Sequence, residues 1–91
     1  MKYTREQIEK VEEYASLFLK ISDIALLIGV DPDVLRDDIA DRSTDVSKNY
    51  LITKLLTIAI LRRQEIQQAE LGSNIAIELV SKYITDQTLD E

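Results

Sequence analysis

Residues 21–39 read ISDIALLIGVDPDVLRDDI, and the punctuation of this stretch decides the fold. Ser22 suits a helix N-cap, and Asp23 favours a first turn. Ile21 and Leu26 fit a hydrophobic staple across that start. Gly29 suits the left-handed residue that follows a helix end. A second start follows at once: Asp31 can N-cap and Pro32 is at home in the first helical position. Val34, Leu35 and Ile39 recur at helical spacing and form a buried stripe. This helix should end near Asp41, before the polar loop Arg42-Ser43-Thr44-Asp45. The segment is therefore two short helices about a glycine turn.

Helical signals continue on both sides. Upstream, Thr4 and Gln7 make a capping box, with Tyr3 and Ile8 as its staple. Ile8, Val11, Ala15 and Phe18 then recur at helical spacing, with Tyr14 and Leu17 beside them. Glu6, Glu9, Glu12 and Glu13 fall mostly on the opposite face. The spacing predicts a helix over residues 5–19. Downstream, residues 47–71 hold no Gly or Pro and predict the longest helix, closed by Gly72. Ser73 can cap a fifth helix over residues 74–84, with Ile75, Ala76, Leu79, Val80 and Tyr83 on one side. Residues 85–91 are polar and expected to fray. Five helices and no strand give an all-α chain.

Composition narrows the chemistry. The 91 residues contain no Cys and no His, which removes disulfides, thiolate chemistry and the commonest general base. Hydrophobic residues are 45% and charged residues 31%, as in globular domains. No apolar run reaches the roughly 18 residues a membrane span needs. The charged start MKYTREQIEK lacks the apolar stretch of a secretory signal. The expectation is a cytoplasmic protein without membrane partners.

Net charge is -6, from 11 basic and 17 acidic residues. Residues 1–45 carry 6 basic and 11 acidic side chains, so the acidity is concentrated in the first half. Such a chain has no general attraction for a polyanion, and nucleic-acid binding must rest on local cations.

The long helix carries a second signal. Leu51, Ile52, Leu55, Leu56, Ile58, Ala59, Ile60 and Ile66 spread over about 200° of its circumference. A helix lying on one core needs an apolar stripe of only about 100°. Burial by the other four helices is one way to cover the excess, but they are short. The favoured reading is a homo-oligomer interface through Leu51, Ile52, Leu55, Leu56 and Ile60. The polar run Arg62-Arg63-Gln64-Glu65 suits a helix that projects from the core or packs only on the fifth.

The order short helix, glycine turn, short helix resembles the helix-turn-helix of bacterial and phage DNA-binding proteins. Ala25 is small where the helices approach, Gly29 follows four residues later, and Leu35 comes six residues after that. One position departs: Asp38 stands where an apolar side chain is expected, leaving Ile39 to pack. The outward face of the second helix also departs in charge. Asp33, Arg36, Asp37, Ala40 and Asp41 fall there at 100° per residue, three acids against one base. Direct groove reading by that face is therefore disfavoured. Arg36, Arg42 and Lys48 are the candidate phosphate contacts, with Lys2 and Arg5 adding charge at the N-terminus.

A wider resemblance covers roughly residues 20–84. In LRRQEIQQAELGSNIAIEL, residues 61–79, an arginine-bearing helix ends in an alanine and a Gly-Ser turn before a short Ala- and Leu-bearing helix. Together with the preceding glycine turn, this looks like the small terminase subunits of tailed phages and prophages. The resemblance implies an N-terminal helix-turn-helix unit, residues 1–45, followed by a long oligomerising helical hairpin, residues 46–91, in one compact domain. It also implies a ring that binds double-stranded viral DNA weakly at each subunit and presents it to a large motor subunit in a bacterial cell.

Catalysis is not expected. Asp33, Asp37 and Asp41 are spaced to share a helix face, where a hard cation is conceivable but a solvated face is the simpler reading. Asp31-Pro32-Asp33 opens like a calcium loop, yet Arg36 stands where such a loop needs glycine. No phosphate-binding glycine loop is present, and no metal or cofactor is expected. The alternative function is a helical protein-interaction adaptor or regulator that keeps the helix-turn-helix shape without binding DNA, docking a basic partner on its acidic face.

Overall fold

A computed structural model describes residues 2–91. It contains α1 (Arg5–Ser16), α2 (Ile21–Ile28), α3 (Pro32–Ala40), α4 (Asp45–Glu70) and α5 (Asn74–Asp90), with no strand among the described residues. The fold is all-α. Two compact units divide within α4, the first ending at Thr57 and the second running Ile58–Glu91.

Local capping explains most helix starts. Thr4 accepts from the Gln7 N–H at 3.1 Å while the Gln7 side chain accepts from the Thr4 N–H at 2.9 Å, closing the expected box. Asp31 accepts from the N–H groups of Asp33 and Val34, with Pro32 opening α3. Ser73 accepts from Ala76 and starts α5. Thr44 accepts from the Ser47 N–H at 3.2 Å. This is why α4 begins at Asp45, two residues before the expected start.

Three helices end on a left-handed residue. Gly29 has φ 76° and Gly72 has φ 93°. The third is Phe18, with φ 59°. The Leu19 N–H reaches back to Tyr14 C=O and the Phe18 N–H to Ala15 C=O, the paired bonds of a Schellman ending. That ending stops α1 at Ser16, not residue 19. The chain re-enters helix at Ile21, where Lys20 C=O accepts from Asp23 and Ile24. Ser22 therefore lies inside the first turn of α2 and does not cap it. Leu26 is exposed and forms no staple with Ile21.

The core of the first unit is Tyr3, Val11, Ala15, Ile24, Ala25, Leu35, Ile39, Val46 and Tyr50. α2 packs on both α1 and α3. Fully buried Ala25 lets helices approach closely, as its size suggests. Gln7 Nε2 donates to Ile28 C=O at 3.1 Å, tying the start of α1 to the end of α2. Fully buried Ser47 donates to Ile39 C=O at 2.6 Å, tying α4 to the end of α3.

In the second unit, Ala76 is buried and Leu79, Val80 and Tyr83 are half-buried. Ile75 is 75% exposed, one helical position off the expected stripe. The Arg62 guanidinium lies 4.3 Å from the centre of the Tyr83 ring, a cation–π contact from α4 to α5. α5 runs to Asp90, six residues past the expected end. Thr85 and Thr88 return their hydroxyls to the carbonyls of Ser81 and Ile84 and stay within the helix.

Candidate nucleic-acid interface

α3 presents the face its spacing implies. Leu35 and Ile39 are buried, while Asp33, Arg36, Asp37, Ala40 and Asp41 are exposed. Two of the three acids on that face are engaged locally. Asp33 pairs with Arg36 Nη1 at 3.1 Å. Asp41 accepts from the Ser43 N–H at 3.0 Å and the Ser43 hydroxyl at 2.6 Å, bonds that hold its carboxyl below the usual range. Among the described residues no group of three or more acidic side chains is disposed to hold a metal ion.

Asp38 has a structural partner. Tyr3 donates its phenol hydrogen to Asp38 Oδ2, and Lys2 Nζ lies 3.1 Å from the same oxygen. The carboxylate thus occupies an apolar position because the N-terminal segment crosses α3 and supplies a donor and a charge. The phenol bond lowers the Asp38 pKa, desolvation opposes it, and Lys2 adds to the lowering. Burial, followed by the bond to Asp38, pushes the Tyr3 pKa up.

The structure does not bring the three candidate cations into one cleft. Arg36 faces a groove of about 540 Å³ with Lys20 and Lys54. Lys48 borders another groove, with Lys2, Arg5, Asp38 and Asp45. Arg42 is exposed in the α3–α4 loop and lines neither. Lys20 and Lys54 were missed by the sequence reading. They sit on separate elements, 16 and 18 positions from Arg36, and no local pattern joins them. Only tertiary structure does.

Of the candidate interface residues, Leu51 is half-buried against the core of the first unit. Ile52, Leu55, Leu56 and Ile60 are between 54 and 61% exposed. Leu26 and Leu27 on α2 are also exposed, which the sequence reading did not anticipate. No helix among the described residues is long and apolar enough to cross a membrane. No protein-family model, no curated protein and no solved structure matches the chain.

Proposed function

We propose that this chain is a non-catalytic, oligomeric DNA-recognition component, of the small terminase subunit kind that serves viral DNA packaging in a bacterial cytoplasm. One observation carries the reading. A packed three-helix unit holding the α2–Gly29–α3 pair leads into a 26-residue helix with six large apolar side chains uncovered, Ile52, Leu55, Leu56, Ile60, Leu61 and Ile66. The left-handed Gly29, the buried Ala25 and the buried Leu35 support helix-turn-helix geometry in residues 1–45. The uncovered Ile52, Leu55, Leu56 and Ile60 support self-association of the α4–α5 hairpin. In this reading one chain offers few cations to DNA, and a ring supplies affinity by multiplying weak contacts. A large motor subunit then performs the chemistry that this chain has no residues for.

The test is fluorescence anisotropy with duplex DNA across a salt series. We expect binding that weakens with salt by a modest slope per subunit, because each chain neutralises few phosphates. The pair Asp33→Asn and Asp37→Asn removes two repulsive charges and should give tighter, less selective binding. Silence of both proteins at low salt would overturn the reading. The exposed acidic face of α3 would then favour the adaptor, which docks a basic partner.

A further inference from the structure

We propose that the groove formed by the α1–α2 turn, α3 and α4 is a phosphate-binding site for a nucleic-acid backbone, held by Lys20, Arg36 and Lys54. It deepens the DNA-recognition reading and rests on that reading for the identity of its ligand.

The argument begins with charge. The chain carries 17 acids against 11 bases, yet the groove is lined by three cations and no acid. The second cation-bearing groove contrasts with it: Asp38 and Asp45 stand there among Lys2, Arg5 and Lys48, and Lys2 is spent on Asp38. Asp33 holds one nitrogen of Arg36. A guanidinium has five N–H donors, so its other edge still serves an anion. Lys54 Nζ lies 5.7 Å from the centre of the Tyr50 ring, a contact that limits the wandering of a long side chain. Lysines from two other elements beside one arginine make a concave positive site, where field lines from one sign of charge concentrate.

The wall supplies a second feature. Phe18 lines the same groove, is 43% exposed and holds φ 59°. A bulky residue in that region costs about 1–2 kcal/mol. The turn thus keeps an aromatic ring beside three cations. An aromatic wall beside the cations offers a backbone sugar an apolar surface that a bare anion does not use.

The experiment is a chemical-shift titration of the full chain with inorganic pyrophosphate and, separately, with a short DNA duplex. Amides of Phe18, Lys20, Arg36 and Lys54 should move, and the duplex should bind more tightly than pyrophosphate. Lys20→Gln with Lys54→Gln should weaken binding about fivefold, the sum of two exposed ion pairs. Lys10→Gln with Lys82→Gln makes the same change of net charge outside both grooves and should weaken it less than about twofold. All four lysines are surface groups, and a melt of each variant confirms folding. Equal weakening by both pairs, or shifts confined to other residues, overturns the proposal. Duplex binding that ignores Lys20 and Lys54 removes this site and leaves the DNA reading. Pyrophosphate shifts here without any duplex binding remove the DNA reading and leave the site.

Discussion

Phe18 and Gly29 occupy equivalent places after α1 and α2, and their side chains make opposite predictions. Gly29 has φ 76°, and a Cβ added there would meet no atom within 4 Å. Any cost of substitution is therefore conformational. Gly29→Val should destabilise by roughly 1 kcal/mol or more. Phe18 already bears the strain of φ 59°. Phe18→Gly relieves about 1–2 kcal/mol of it, offsetting the lost packing of a partly exposed ring, so the net change should stay below about 1 kcal/mol. Urea unfolding followed by circular dichroism measures both. A neutral Gly29→Val, or a Phe18→Gly as costly as truncating a buried phenylalanine, would contradict this account of the turns. The difference in legibility has the same origin. Gly29 announces itself because glycine is the cheap left-handed residue, whereas Phe18 is left-handed only because the Schellman bonds and the start of α2 require it. No propensity argument selects a phenylalanine for that role.

Among the elements, α3 was legible through Asp31, Pro32, Leu35 and Ile39, all local signals. Asp38 was not, because its partners arrive from residues 2 and 3, 35 or more positions away. The clasp makes a pH prediction. Tyr3 and Lys2 hold the folded-state pKa of Asp38 below its unfolded value. The associated stability is present above the unfolded carboxylate pKa of about 3.9 and is lost as pH falls through the folded value. Tyr3 acts in the other direction: its raised pKa gives stability that is present below the unfolded phenol value of about 10 and declines as pH rises beyond it. Asp38→Asn should therefore be less stable than the unmodified chain at pH 7, and the gap should narrow in acid. Thermal melts from neutral pH down through the carboxylate range test this. A gap independent of pH would contradict it. The ends of α4 and α5 show where local reading stops. Thr44 starts α4 early by capping it, and Thr85 and Thr88 keep a polar tail helical by bonding within it.

For the whole molecule, the apolar excess of the long helix was legible as a 200° arc, and six of its eight residues are exposed in the chain. The clustering of Lys20, Arg36 and Lys54 was not, since it exists only after three elements pack. Leu56 and Ile60 test what covers the arc. Replacing both with Glu places two charges where an interface would bury them, a cost of several kcal/mol each if they stay unpaired. A soluble monomer or dimer is expected from that variant, with weaker DNA binding because effective concentration falls. The proposed DNA recognition depends on self-association of the chain. Light scattering of the unmodified protein at tens of micromolar tests that directly. A mass that is a clear multiple of the 10.4 kDa chain, lost in the Leu56→Glu, Ile60→Glu variant, is the predicted result. A clean monomer of 10.4 kDa at that concentration would contradict it.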